Sequence, residues 1–111
     1  MSERLPSGSC DSHLHVFGDP NKYPVGNPHA LYKPPQEYNF EAMTALHGAM
    51  GIDRAVLVQP TIYGTDHRLL HDVLKAAPRN KYRGVAIVDD SVSDAELARL
   101  NDVGVRGARF N

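Results

Sequence analysis

Asp11-Ser12-His13-Leu14-His15 is the stretch that decides the fold and the chemistry of this chain. Side chains alternate between the two faces of an extended strand, so this spacing predicts that Asp11, His13 and His15 project to one side. Burying three polar side chains in line is costly unless they serve a purpose. Imidazoles at this spacing could bind one metal ion or act together on one substrate. The alternative is a sheet edge in contact with water.

The rest of the chain alternates apolar runs with amphipathic segments. A first strand is predicted over 10–17, followed by an irregular stretch over 18–38 in which five prolines exclude a regular helix. Its tyrosines favour an ordered loop, in which Tyr23 and Tyr32 could form part of a lid or simply hold the loop in place. Asn39 is predicted to cap a helix that runs to Met50 and ends at Gly51, and Ser93 is predicted to cap, in the pattern Ser-x-x-Glu, a helix that Gly104 closes. Between them a helix is predicted from Thr65 or Asp66 to Ala77, with further strands over 54–59, 82–88 and 105–110. The predicted apolar faces include Leu46 on the first helix and Leu97 on the third.

The predicted order is β-α-β-α-β-α-β, which is typical of an α/β fold with parallel strands and right-handed helical crossovers. No glycine-rich phosphate loop follows the first strand, since Phe17-Gly18-Asp19-Pro20 lacks that pattern. The polar line on the first strand favours a barrel, whose strands end at an active-site rim. A full barrel needs about 250 residues. We therefore expect 10–111 to be the N-terminal half of a (β/α)8 TIM barrel from a larger enzyme, preceded by a disordered tail over 1–9.

Composition excludes several classes of protein. The net charge is −1, and no run of Lys and Arg stands out, so nucleic acid is not an expected partner. No apolar run approaches the length of a membrane span. The single cysteine, Cys10, permits no internal disulfide and predicts a reducing, cytoplasmic compartment. We expect Cys10 itself to be a buried structural thiol. The oligomeric state stays open.

The first motif resembles the signature of the amidohydrolase superfamily, Asp-x-His-x-His at the end of a first strand. Three further blocks resemble its amidohydrolase-2 branch, and within that branch the 2-pyrone-4,6-dicarboxylate lactonase type. These blocks are Gln59-Pro60-Thr61 with Tyr63-Gly64-Thr65-Asp66, then Gly84-Val85-Ala86, then Gly104-Val105-Arg106-Gly107-Ala108-Arg109-Phe110-Asn111. The resemblance implies a barrel hydrolase that opens an ester or lactone of a small carboxylated ring compound in the degradation of aromatic compounds.

The resemblance also implies roles for the histidines. In metal-using members, His13 and His15 would bind one divalent cation, Zn²⁺ or Mn²⁺. In lactonase-type members, which are thought to work without a metal, they would polarise the lactone carbonyl. A later histidine and a water-activating aspartate are expected beyond Asn111. Two alternatives stay open, namely a metal-dependent decarboxylase or hydratase of the same superfamily, and a non-catalytic binding fragment.

Two arginines are candidates for gripping substrate carboxylates, as the resemblance implies. Arg106 and Arg109 are three residues apart, so a regular strand would send them to opposite faces. Arg109, which is nearer the carboxyl end of its strand, is placed for the rim, whereas Arg106 could pair with a helix carboxylate outside the barrel.

The end of the second strand supplies three more candidates for substrate binding, Gln59, Thr61 and Tyr63. All three lie at the rim of any such barrel. The structural alternatives are loop capping by Thr61 and packing by Tyr63.

The remaining histidines give weaker signals. His67 and His71 are four apart on a helix, a spacing that can bind zinc, but no glutamate follows His67 and a solvated helix face is expected. His29 and His47 carry no partner signal. For Asp11, a metal ligand, an acceptor that orients an imidazole, and a hydrogen-bonded structural carboxylate all stay open.

Overall fold

The order of strands and helices matches the predicted alternation. The computed structural model describes residues 4–26 and 35–110, and within them four strands alternate with three helices. None of the helices in these two ranges is long and apolar enough to cross a membrane. The elements are β1 (Cys10–Leu14), α1 (Phe40–Met50), β2 (Arg54–Val58), a 3-10 turn (Thr61–Tyr63), α2 (Arg68–Ala76), β3 (Tyr82–Ile87), α3 (Asp94–Val103) and β4 (Val105–Arg109).

The strands form one sheet in the order β1-β2-β3-β4, with every neighbouring pair parallel. Parallel neighbours need long crossovers, which α1, α2 and α3 supply in turn. The carboxyl ends of the strands therefore lie along one edge of the sheet. Below we call this edge, from His15 through Val58 and Ile87 to Arg109, the carboxyl edge.

The core lies between one face of the sheet and the helices. Leu57 of β2, Leu70 of α2 and Leu100 of α3 are all at most 5% exposed. The predicted apolar faces were wrong in part, because Leu46 and Leu97 are 59% and 44% exposed. On α1 the inward positions are Phe40, Met43 and His47, so Leu46 falls on the flank of that helix.

Local sequence signals set the ends of α1 and α3, as predicted. The Asn39 side chain accepts a hydrogen bond from the Ala42 amide at 2.9 Å, and the Ser93 hydroxyl accepts one from the Glu96 amide at 3.0 Å. Each helix ends at a glycine with positive φ, 81° at Gly51 and 106° at Gly104. A glycine suits this left-handed cap because it has no Cβ to clash with the backbone.

The predicted start of α2 at Thr65 or Asp66 was wrong. The helix begins at Arg68, and His67 occupies the position before it without capping the helix through its side chain. Residues 61–63 form the 3-10 turn instead. The Asp66 carboxylate accepts a hydrogen bond from the Arg68 amide at 3.1 Å and also pairs with the Arg68 guanidinium. Asp66, which was expected to begin the helix, therefore lies two residues before its first residue and binds the Arg68 amide through its side chain.

A β-bulge breaks the alternation in β1. Asp11 lies opposite Ala55 and Leu14 lies opposite Leu57, so three steps along β1 match two along β2. The extra residue turns Asp11 toward the helices, where it meets α1. The bulge breaks the simple alternation from which the shared face of Asp11, His13 and His15 was predicted, so that shared face stays a prediction. Cys10, expected to be buried, is exposed.

Two tyrosines fix the start of the long first loop. The Tyr23 hydroxyl donates to the Asp72 carboxylate of α2 at 2.7 Å, and the Gly18 amide donates to the Tyr63 hydroxyl at 3.1 Å. The other candidates in this loop, His29 and Tyr32, lie outside the described residues. A lid over the carboxyl edge stays a prediction.

The residues before β1 lie against the carboxyl end of α1 and the start of β2. The Leu5 amide donates to the Met50 carbonyl at 3.0 Å, and the Asp53 amide donates to the Ser9 carbonyl at 3.1 Å. The predicted division into a tail over 1–9 and a domain over 10–111 stays a prediction.

Candidate active site

His13, within the bulge, and His15, after it, lie side by side at the carboxyl edge. The ring centroids of His13 and His15 are 5.3 Å apart, with the ring planes at 86°. Both residues are exposed in this chain. His15 Nδ1 lies 2.7 Å from the Val58 carbonyl oxygen, which only accepts, so Nδ1 carries the proton and donates. In neutral His15 the lone pair is therefore on Nε2.

Arg109 reaches the same end of β2 from the other side. Its Nη1 donates to the Gln59 carbonyl at 3.3 Å, and its own carbonyl accepts from the Val88 amide at 3.1 Å. His15 and Arg109 are thus anchored on the carbonyls of two consecutive residues, Val58 and Gln59. This places an imidazole and a guanidinium at one end of the sheet, as the sequence predicted for both.

Arg106 lies elsewhere. Its Nη1 donates to the carbonyl and side-chain oxygens of Asn101, at 3.0 and 2.9 Å, near the end of α3. The structure does not bring Arg106 to the carboxyl edge, which fits the expectation that the two arginines face opposite ways. The partner outside the sheet is an asparagine rather than a carboxylate.

Gln59, directly after β2, has a structural role, because its side chain is hydrogen-bonded to the backbone of three residues. It is 2% exposed, and its side-chain amide donates to the Gly64 and Asp66 carbonyls at 2.9 and 3.0 Å. Its Oε1 accepts from the Ile87 amide at 2.8 Å. These three bonds occupy the amide, so a substrate contact by Gln59 stays a prediction that would require one of them to break.

Tyr63 and Thr61 occupy the 3-10 turn after β2. Tyr63 is 2% exposed, its hydroxyl accepts from the Gly18 amide, and its ring centroid lies 6.4 Å from that of Phe17. This is the packing role weighed as the alternative for Tyr63. Thr61 is half-buried on the same turn. Their contacts with a substrate stay predictions.

A buried network below the carboxyl edge was missed by the sequence analysis. His67 is 5% exposed, with Nδ1 2.6 Å from Glu96 Oε2 and Nε2 2.6 Å from the Ile87 carbonyl oxygen. Both partners accept while Glu96 is ionised, so each ring nitrogen of His67 faces an acceptor. The expected solvated face for His67 was wrong. No local pattern announces this pair, because its members are 29 residues apart.

Glu96 holds the network together. The Arg99 guanidinium, bonded to both carboxylate oxygens at 2.7 and 2.9 Å, is the main cause that lowers the pKa of Glu96 to about 2. The hydrogen bond from His67 lowers that pKa further. The Ser-x-x-Glu pattern correctly predicted the cap by Ser93, but it gave no sign that the Glu96 carboxylate serves His67 and Arg99.

His47 also has a partner that its sequence context did not reveal. Its Nε2 donates to Asp11 Oδ2 at 3.0 Å, and His47 is 5% exposed. The other oxygen of Asp11 accepts from the His13 amide at 3.3 Å. Asp11 therefore serves as a hydrogen-bonded carboxylate on the helix side of β1, one of the alternatives left open for it.

Comparison with known proteins places the chain in a family. A model of the amidohydrolases, Amidohydro_2, matches residues 10–111. The chain belongs to the amidohydrolase family. This confirms the resemblance drawn from the four sequence blocks.

Two curated relatives are similar along nearly the whole of this amidohydrolase chain. It is 44% identical over 108 residues to 2-pyrone-4,6-dicarboxylate hydrolase of Comamonas testosteroni. This match covers 97% of this chain and 34% of the relative. It is 38% identical over 108 residues to 4-sulfomuconolactone hydrolase of Hydrogenophaga intermedia, covering 96% of this chain and 34% of the relative. The chain thus spans about one third of the length of these relatives.

A solved structure shows the same fold. A "probable 2-pyrone-4,6-dicarboxylic acid hydrolase" from Acinetobacter baumannii, with citric acid bound, superposes with a TM-score of 0.80 at 25% identity. The match covers 92% of this chain and 37% of that one. It confirms the predicted fold class, in which these four strands belong to the N-terminal half of an amidohydrolase barrel.

Many amidohydrolases use a divalent metal, and two histidines of this chain are suited to be part of its ligand set. His13 and His15 present adjacent imidazoles, and the bond from His15 Nδ1 to Val58 is the kind that orients a metal ligand. Over residues 4–26 and 35–110, no group of three or more His, Cys, Asp and Glu side chains could hold a metal ion. Zinc sites in enzymes commonly use three protein ligands. The two histidines therefore fit as members of such a set, which the described residues do not complete.

Proposed function

We propose that this chain supplies the carboxyl edge of a hydrolase that opens a small carboxylated lactone of the 2-pyrone-4,6-dicarboxylate kind, in the degradation of aromatic compounds. One observation carries the proposal: an imidazole, His15, and a guanidinium, Arg109, are held on consecutive carbonyls at one end of β2. A lactone with a free carboxylate needs these two functions, one at the ester and one at the charge. The names of both curated relatives, a pyrone dicarboxylate hydrolase and a sulfomuconolactone hydrolase, support the same substrate class.

The reaction adds water across an ester bond. The water oxygen bonds to the lactone carbonyl carbon, and the ring carbon–oxygen bond breaks. One proton of the water goes to the released ring oxygen, and the other is released to solvent as the carboxylate forms. Stabilising the negative charge that develops on the carbonyl oxygen lowers the barrier most. In this proposal the histidine pair performs that role, either directly or as two ligands of a Zn²⁺ or Mn²⁺ ion that would act as a Lewis acid.

The two histidines differ in what they can do. The Nδ1 proton of His15 is bound to Val58, so neutral His15 offers a lone pair at Nε2, suited to a cation or to a proton taken from water. Donation to a carbonyl oxygen then falls to His13, or to His15 in its charged form. A chelator separates these readings, because loss of activity with chelator requires a metal and full retention favours the metal-free lactonase type.

Arg109 is the proposed carboxylate clamp. A guanidinium carries five N–H donors in a planar fork, so one bond to the Gln59 carbonyl leaves it able to grip a carboxylate in a bidentate manner. The Arg106→Ala variant is the matched control, since Arg106 lies on the same strand with its guanidinium bonded to Asn101 instead.

Titration calorimetry with 2-pyrone-4,6-dicarboxylate, followed by the loss of pyrone absorbance, tests the proposal on the complete enzyme, which includes the later histidine and aspartate expected beyond Asn111. We expect Arg109→Ala to weaken binding by about 10-fold or more, Arg106→Ala to leave it unchanged, and His13→Ala to slow hydrolysis at least about 100-fold. Equal losses in the two arginine variants would overturn the clamp, and an unchanged rate in His13→Ala would overturn the role of the histidine pair.

The products distinguish the remaining alternatives. Release of CO₂ would favour the metal-dependent decarboxylase, and addition of water to a double bond would favour the hydratase. Binding without turnover would favour a non-catalytic fragment. A cytoplasmic location stays part of the proposal.

A further inference from the structure

We propose that Asp11 and His47 are a positioning pair that fixes the β-bulge and thereby aims His13 at the carboxyl edge. The proposal extends the proposed function, because it concerns how a residue of that site is held in place. It assigns a role to the aspartate of the Asp-x-His-x-His motif that differs from metal binding. The pair acts through the backbone of His13 rather than on a substrate.

The bulge creates the need for this pair. Two residues of β1, Ser12 and His13, lie between Asp11 and Leu14, whereas β2 has only Val56 between their partners, so the ladder is interrupted at Ser12 and His13. An amide displaced from the ladder needs another acceptor. Oδ1 of Asp11 supplies it, by accepting from the His13 amide at 3.3 Å. At the same point of the backbone the Asp11 side chain meets His47 of α1, and the His13 ring lies beside that of His15.

His47 fixes the carboxylate that makes this bond. Its Nε2 donates to Oδ2 of Asp11 at 3.0 Å, so each oxygen of Asp11 has one task. The side chain of His47 is only 6% exposed, whereas that of Asp11 is 32% exposed. The more deeply buried partner is therefore on α1, and it restrains an aspartate that would otherwise rotate. The position of α1 is thus coupled to the direction of His13.

The chain offers a matched control for the local bond. The Asp89 carboxylate accepts a hydrogen bond from the amide of the second residue after it, Ser91, at 2.9 Å, just as Asp11 accepts from His13. The side chain that also binds Asp89 is the Ser91 hydroxyl, where Asp11 has His47. Asp89→Ala therefore removes the same type of backbone bond far from the bulge. Asp11→Asn retains an oxygen that can accept from His13, whereas Asp11→Ala removes it.

Amide hydrogen exchange and histidine ring shifts, measured by NMR on the 15N-labelled chain, test the pair. We expect the His13 amide to exchange about fivefold or more faster in Asp11→Ala, with shifted ring signals of His13 and His15. Asp11→Asn should restore most of the protection, and Asp89→Ala should leave His13 unchanged. In His47→Leu we expect intermediate loss of protection, and His47→Gln, which keeps a side-chain donor, should recover part of it.

Unchanged His13 exchange and ring signals in a folded Asp11→Ala chain would overturn the proposal, as would equal effects of Asp11→Ala and Asp89→Ala. If Asp11→Ala does not fold, the comparison of His47→Leu with His47→Gln decides, and identical His13 exchange in those two variants would also overturn it. None of these readouts uses turnover. A chain that fails to hydrolyse lactones therefore counts against the proposed function alone.

Discussion

His47 and His67 are both buried histidines paired with a carboxylate, yet they are held differently. His47 makes a single bond to Asp11 on β1, which lies at one end of the sheet order. Both ring nitrogens of His67 face an acceptor, and the partner Glu96 is held in turn by Arg99. The comparison teaches that burial alone does not define a histidine's role, since one positions a neighbouring backbone and the other clamps two elements together.

The largest expected effect is the loss of the doubly bonded His67 ring. His67→Leu removes the ring nitrogens that face Glu96 and the Ile87 carbonyl, and we expect the free energy of unfolding to fall by about 2–4 kcal/mol. His71→Leu is the control, because His71 is only half-buried and lies 3.6 Å from the exposed Asp72. Urea unfolding of both variants measures the two losses in the free energy of unfolding. Equal losses would show that the hydrogen bonds of His67 to Glu96 and Ile87 contribute no stability of their own.

Acid should weaken the His67 network through Glu96. Its pKa is lowered from 4.5 to about 2, by Arg99 first and His67 second. A lowered carboxyl pKa contributes stability that is present above about pH 4.5 and is lost as the pH falls toward 2. We expect Glu96→Gln to remove about 2–3 kcal/mol at neutral pH and to flatten the acid limb of stability.

The same pH series in an Arg99→Gln variant sharpens this prediction. Without the guanidinium, the pKa of Glu96 should rise, so the loss of stability should begin at a higher pH than in the wild-type chain. An acid limb identical in the wild type, Glu96→Gln and Arg99→Gln would show that another group dominates acid unfolding.

The sequence could predict what depends on near neighbours. The caps at Asn39 and Ser93, the glycines that end α1 and α3, and the opposite directions of Arg106 and Arg109 follow from contacts or periods within a few residues. With the family motif, these signals placed the histidine pair and Arg109 at one edge.

What the sequence could not predict depends on distant partners. Asp11 and His47 are 36 residues apart, and His67 and Glu96 are 29 apart, so no local period connects either pair. The bulge in β1 shows only when the register with β2 is known, and it overturned the simple alternation of Asp11 with His13. The start of α2 was missed because Gln59, from the end of β2, holds the carbonyls of Gly64 and Asp66 in a turn.

A smaller loss is expected for His47 than for His67. His47→Leu removes one hydrogen bond to a carboxylate that keeps access to water, so we expect the free energy of unfolding to fall by about 1–2 kcal/mol. Urea unfolding beside His67→Leu orders the two pairs directly. A loss for His47→Leu equal to or above that for His67→Leu would reverse the comparison.

The helix caps provide the smallest and most specific test, because each cap belongs to the helix that carries one of the pairs. Asn39→Ala and Ser93→Ala should each lower the free energy of unfolding by about 1 kcal/mol, since each leaves one amide of a first helical turn without its acceptor.

The local effects of these two cap variants should differ. Fraying of α1 should reach the exchange of the His13 amide through His47 and Asp11, whereas fraying of α3 should loosen the Glu96 partnership and leave His13 unchanged. Faster His13 exchange in Ser93→Ala alone would show that the two histidine pairs are coupled in a way that the separate networks do not explain.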